Sequence, residues 1–193
     1  MNISEHINNY KRRGFVVIRN FFKADDIDQV KNLINNVDFA HGKAEVYFEN
    51  INGHKKLRRV ENLSREFKEF HNLVFNKSLL EYLSRIFDEE AILFKEKLNF
   101  KPANGGGSFR MHIDGHFDWC DKYNNKKKGW NEYGTNFVNA VIPIESSSLS
   151  NGCLYVCDIS QTFEHFGNNW DSVRSKLDGK GPYLKKEDEK IIK

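Results

Sequence analysis

Gly105-Gly106-Gly107-Ser108-Phe109-Arg110-Met111-His112-Ile113-Asp114-Gly115-His116 is the stretch from which the rest of the chain is read. One residue separates His112 from Asp114, and in an extended segment residues i and i+2 point to the same face. An imidazole and a carboxylate on one face can grip a single metal ion. Non-haem Fe(II) oxygenases use two His and one carboxylate on one face of an octahedron, leaving adjacent positions open. His112 and Asp114 offer two of those three ligands. Taken alone, H-x-D is a common chance pattern, and a strand His beside an Asp is more often structural.

Upstream, Ile92, Phe94, Glu96, Leu98 and Phe100 alternate with Leu93, Lys95, Lys97, Asn99 and Lys101, which predicts a strand from about Ala91. Before it, Ile27, Val30, Leu33, Ile34 and Val37 recur at three and four and predict a helix over about Asp25 to Val37, with Asp25, Asp26 and Asp28 favouring its positive end. Further helices are expected over about Ser64 to Phe75 and Ser78 to Phe87, padding the outside of a sheet. Gly14 to Phe22 is dense in β-formers and predicts a short strand. Downstream, Phe137 to Ile144 and Cys153 to Cys157 predict two strands joined by a polar turn from Ser146 to Gly152. Strands following helices indicate an α+β chain.

The bulk properties narrow the partners. The chain has 193 residues, which suits one domain over 1–193. Lys+Arg 30 against Asp+Glu 27 is close to balance, so nucleic acid is not expected and a small molecule is. No apolar run approaches the ~20 residues of a membrane span, and Met1 to His6 lacks the pattern of a signal peptide, so no membrane association and a cytoplasmic location are expected. Cys120, Cys153 and Cys157 fit neither paired zinc spacing nor a disulfide framework. The sixteen Phe suit the interior of a sheet-walled barrel or sandwich.

The H-x-D motif follows a strand and a Gly-rich turn and precedes a strand running into Asn151-Gly152-Cys153-Leu154. With the N-terminal Gly14-Phe15-Val16-Val17-Ile18 segment and the Asp-rich helix, this order resembles the phytanoyl-CoA dioxygenase family of Fe(II)/2-oxoglutarate oxygenases, from about Tyr10 to Lys190. Leu93 to Pro102 with the Gly run looks most like the branch that hydroxylates small aminoalkyl-phosphonates. The resemblance implies a double-stranded β-helix (a jelly-roll, cupin-like fold) with helices packed on its sheet. It also implies Fe(II), 2-oxoglutarate and O2 as cofactor and co-substrates, and His112 and Asp114 as metal ligands and catalytic residues. The expected reaction hydroxylates a C–H bond of a small, anionic molecule and releases succinate and CO2.

Family members place a second His in a late strand after a Gly-Asp turn, and an Arg about ten residues on pairs with the distal carboxylate of 2-oxoglutarate. No Gly-Asp pair occurs here. His165, followed at nine residues by Arg174, is a weak candidate for the third ligand. The favoured expectation is that the late strands carrying the distal His and Arg lie outside this sequence. His116 would share the face of His112 only if the strand ran on, and is expected to line the pocket.

Lys97 and Asn99 are either on a solvated sheet face or turned inward to hold carboxylates of the co-substrate or an anionic substrate. Asn139 is a weaker candidate for the same pocket. Lys55-Lys56-Leu57-Arg58-Arg59 reads as a solvated loop, with anion neutralisation as its alternative. Trp119, Tyr123 and Trp130 belong to a segment that is either a lid or a polar loop. A chain with no third ligand is also what a non-catalytic jelly-roll module, binding a small anion or a protein, would show.

Overall fold

A computed structural model describes residues 3–102, 109–169, 172, 173, 176, 183–185 and 187. The chain divides into two compact units, one from residues 17–108 and 140–154, the other from 1–16, 109–139 and 155–193.

In the unit of residues 17–108 and 140–154, the apolar stripe read from the sequence forms helix α2 (Ala24–Asn36). A β-hairpin follows, strands β1 (Glu45–Ile51) and β2 (His54–Glu61). Its turn is Asn52-Gly53, with φ of 50° and 82°, the double positive-φ pair that a tight hairpin requires. Helices α3 (Lys68–Val74) and α4 (Lys77–Phe87) come next, then strand β3 (Lys97–Asn99), which pairs antiparallel with β2. The sheet order is β1-β2-β3.

One face of this sheet builds the core. Val46, Val60 and Leu98 lie in register on adjacent strands and pack with Val30, Phe39, Leu63, Phe70 and Leu73. Val30, Val60 and Leu63 are sealed from solvent, and each such side chain contributes about 1.5 to 3 kcal/mol by leaving water. Ile142 and Ile144 pack against the same cluster. The other face carries the rows Tyr47, Arg59, Asn99 and Glu45, Glu61, Lys97.

In the other unit, α1 (Ile3–Arg13) contacts α5 (Ile159–Phe166). Gly14 ends α1 at φ +81°, with its N–H on the Tyr10 carbonyl at 2.7 Å. A side chain there would be strained by that φ and would press on Ile159. Asp158 caps α5, accepting from the Gln161 N–H at 2.9 Å, and meets Arg13 at 3.6 Å. A hairpin of β4 (Asp118–Cys120) and β5 (Lys126–Lys128) follows the H-x-D motif. Phe166, Val173 and Leu184 form the core with Met111, Ile113 and Phe163.

Mixed helix and sheet is as expected, but several elements differ. The β1–β2 hairpin stands where a solvated loop is expected at Lys55 to Arg59. Helix α1 has no counterpart in the sequence reading. Residues 14–22, 137–144 and 153–157 have no strand pairing, and the strand expected from Ala91 is confined to Lys97–Asn99. Strand pairing needs a partner of matching register, which β-propensity alone does not supply. Among the described residues the sheets are small and antiparallel, and they do not close into the expected double-stranded β-helix.

Candidate metal half-site

The H-x-D segment is held by its apolar neighbours. Met111 and Ile113 turn into the Phe166, Val173, Leu184 cluster, so His112 and Asp114 turn the other way, as period two demands. The segment is fastened along its backbone as well. The Leu184 N–H donates to the Met111 carbonyl at 3.0 Å, and the Arg110 guanidinium donates to the Leu184 carbonyl at 2.6 Å. His112 itself forms an isolated β-bridge with Tyr183 rather than part of a longer strand.

Local bonds orient both functional side chains. His112 Nδ1 lies 2.6 Å from the Arg110 carbonyl, which can only accept, so Nδ1 carries a proton and Nε2 is the nitrogen left to face a metal. Such a carbonyl contact commonly fixes the tautomer of a metal-binding imidazole. Nε2 lies 3.4 Å from Asp114 Oδ1, and the two side chains are 30% and 34% exposed. The other Asp114 oxygen, Oδ2, accepts from the Asn139 side-chain amide at 2.6 Å. Neighbouring ligands on an octahedral ion with bonds of about 2.1 Å stand about 3 Å apart. The His112–Asp114 pair therefore fits two such positions with a small closing movement, and its nitrogen and oxygen donors suit Fe(II).

After Asp114 the chain turns. Gly115 has φ +79° and Gly129 φ +54°. A Cβ on Gly129 would collide with the Gly115 carbonyl, so the two backbones meet only because residue 129 is glycine. The Gly129 N–H donates to Phe117 at 2.6 Å and the Trp130 N–H to Gly115 at 3.4 Å, which ties the turn to the end of β5. Because of this turn the strand does not run on, and His116 leaves the face of His112. The segment expected as a lid or polar loop is an ordered hairpin, with Trp119 stacked on Tyr133 and Trp130 tilted against Phe137. Tyr123 is exposed.

Among the described residues the third ligand does not appear. His165 sits exposed in the last turn of α5, its ring beside Phe166. Among the described residues, no group of three His, Cys, Asp or Glu comes together, so neither His165 nor the cysteines complete a site. Arg174 lies outside the described residues. The three cysteines are free thiols.

Lys97 and Asn99 are exposed on the sheet face away from the core, beside Glu61 and Arg59 on β2. Asn139, expected as an anion contact, instead bonds Asp114. The sequence reading missed Arg59 and Glu61 as neighbours of Lys97 and Asn99. The available signal was Asn52-Gly53 soon after the Val46-Tyr47-Phe48 run, which marks a hairpin and brings Arg59 into the sheet.

The Phytanoyl-CoA dioxygenase (PhyH) family matches residues 10–190. The chain belongs to this family. Oxygenases of this family use Fe(II), 2-oxoglutarate and O2, and the donor atoms of His112 and Asp114 suit such a metal. The chain is 28% identical to the 2-aminoethylphosphonate dioxygenase of Uncultured bacterium HF130_AEPn_1, over 75% of this chain and 53% of that protein. It is 25% identical to a "Probable alpha-ketoglutarate-dependent hypophosphite dioxygenase" of Stutzerimonas stutzeri, over 91% of this chain and 65% of that protein. It thus spans about half to two thirds of the length of these relatives. No solved structure matches it significantly. Among the described residues, no helix is long and apolar enough to cross a membrane.

Proposed function

We propose that this chain carries the iron half-site of a cytoplasmic 2-oxoglutarate-dependent dioxygenase that hydroxylates a C–H bond of a small anionic molecule. In that reaction O2 supplies the new hydroxyl oxygen and one oxygen of succinate, while 2-oxoglutarate loses CO2. The observation that carries the proposal is the His112 ring anchored through Nδ1, with Nε2 set 3.4 Å from an Asp114 carboxylate that Asn139 steadies.

Bound iron would supply the oxidising chemistry at this site. His112 would bind it through Nε2 and Asp114 through Oδ1. Asn139 would keep the carboxylate oriented by holding Oδ2. Lys97 and Asn99 are the residues we assign to the oxyanions of co-substrate or substrate, because a lysine charge and a side-chain amide are suited to them. We further propose a double-stranded β-helix for the complete fold, with the third ligand and the 2-oxoglutarate-binding Arg supplied by sequence outside these residues. The chain's span of half to two thirds of its relatives supports this.

Phosphonates and related phosphorus oxyanions are the substrate class we favour, from the names of the two relatives. A second reading, a non-catalytic module for a small anion or a protein, draws on the absence of a third ligand among the described residues. Succinate formation from 2-oxoglutarate and 2-aminoethylphosphonate, measured in the full reading frame, separates the two. The dioxygenase reading expects product that disappears in His112→Ala. Product surviving that change, or none in the unmodified protein, contradicts it.

A further inference from the structure

His112 and Tyr183 lie opposite one another in an isolated antiparallel bridge, within the unit of residues 1–16, 109–139 and 155–193. Side chains directly opposite in such a pair share a face. Their neighbours Met111, Ile113 and Leu184 fill the core of this unit, so the face that His112 shares with Tyr183 is the one turned away from it. There the two rings meet edge to face, with centroids 5.7 Å apart and planes at 67°. That is a favourable arrangement for two aromatic rings.

Arg110 closes a circuit around this pair. Its guanidinium donates to the Leu184 carbonyl at 2.6 Å and stands 5.3 Å from the centre of the Tyr183 ring, while its own carbonyl accepts from His112 Nδ1 at 2.6 Å. The Leu184 N–H returns a bond to the Met111 carbonyl at 3.0 Å. A single hydrogen bond at Nδ1 fixes one atom of an imidazole and leaves the ring free to tilt about it. A second contact on the ring limits that tilt and keeps Nε2 directed at Asp114 Oδ1, 3.4 Å away. An arginine two residues from a metal ligand is also a natural partner for an incoming carboxylate, but this guanidinium is committed to a carbonyl and a ring.

We infer that Tyr183 and Arg110 are positioning residues of the metal half-site: Tyr183 sets the plane of the His112 ring, and Arg110 holds Tyr183 and Leu184 against the H-x-D segment. The inference deepens the assignment of His112 as a metal ligand and rests on it. Both residues act through His112, and neither is assigned to the metal itself. A site with few protein ligands depends strongly on how well each ligand is oriented before the metal arrives.

The test reads Mn(II) affinity by paramagnetic resonance and, in the metal-free chain, the nuclear Overhauser contact between the His112 and Tyr183 rings. Tyr183→Leu is expected to weaken Mn(II) binding about tenfold, the lower end of the cost of losing a group that orients a metal ligand. Tyr183→Phe keeps the ring and is expected to restore the affinity. Because Tyr183 is 36% exposed, both variants should melt close to the unmodified protein. Arg110→Met keeps the stem but loses the donor and the charge, so it should weaken Mn(II) binding and the ring contact together. Arg110→Lys should recover part of both.

Unchanged Mn(II) affinity in Tyr183→Leu, or the same loss in Tyr183→Phe, overturns the role of the ring. Intact Mn(II) affinity in Arg110→Met, with weaker binding of 2-oxoglutarate to the Mn(II)-loaded chain, assigns Arg110 to the co-substrate and overturns its positioning role. Absence of the ring contact in the metal-free chain overturns the inference even where His112 still binds Mn(II). Succinate loss in His112→Ala reads the dioxygenase assignment separately, so the two fail independently.

Discussion

Asn139 donates its side-chain amide to Asp114 Oδ2 at 2.6 Å, while Asp114 Oδ1 is the oxygen that faces His112. The carboxylate therefore has one oxygen held and one offered. Asn139→Ala is expected to weaken Mn(II) binding about tenfold or more, the usual cost of losing a group that orients a metal ligand. Because Asn139 is exposed, the melting temperature should stay nearly constant. Equal Mn(II) affinity in the two proteins would show that the hydrogen bond does not orient the carboxylate.

Gly129→Ala tests the turn behind the site. The new methyl would collide with the Gly115 carbonyl at a φ of +54°, in a conformation that L side chains rarely adopt. Either the turn or the end of β5 must move, and Asp114 adjoins the turn. We expect a lower melting temperature together with weaker metal binding. Gly53→Ala is the control, since its hairpin turn has open space around it and lies on β1–β2. It should be destabilised by its φ of +82° without altering metal affinity.

Leu63→Ala probes the core of the three-stranded sheet. Leu63 is fully buried among Val30, Val60 and Phe70, and truncating such a residue costs about 2 to 5 kcal/mol through lost burial and the cavity left behind. Urea unfolding should report that loss with an unchanged slope.

Asp158 links α1 to α5 and brings a defined pH dependence. The backbone N–H of Gln161, then the Ser160 hydroxyl, and then Arg13 hold its carboxyl below the usual carboxylate range. A depressed folded-state pKa stabilises the fold above the unfolded value of about 4, and the contribution is lost as pH falls through the folded value. Asp158→Asn keeps an N-cap but cannot titrate. Its melting temperature should therefore fall less steeply below about pH 4 than that of the unmodified protein. Parallel acid limbs would contradict this.

The local, helical part of the fold is legible in the sequence because its signal is local. Ile27, Val30, Leu33 and Ile34 mark α2, and Leu79, Leu83 and Ile86 mark α4. Strands are legible only where a partner in register exists. Phe15 to Phe22 and Phe137 to Ile144 are rich in β-formers, yet they lack strand pairing. Lys55 to Arg59 looks like a charged loop, yet the Asn52-Gly53 turn folds it onto β1. The site follows the same division. Alternation within three residues sets His112 and Asp114 on one face, and the structure keeps them there. The bond from Asn139 to Asp114 spans 25 positions, and the neighbourhood of Arg59 with Asn99 depends on strand register. Neither follows from spacing along the chain.

The central claim, that His112 and Asp114 form a metal half-site, is tested most directly by titrating Mn(II) into the purified chain. The paramagnetic resonance of the free ion reports its binding. The geometry predicts weak, saturable binding at one site, lost or weakened at least about tenfold in both His112→Ala and Asp114→Ala. Binding of equal strength in all three proteins, or none in the unmodified chain, would contradict it.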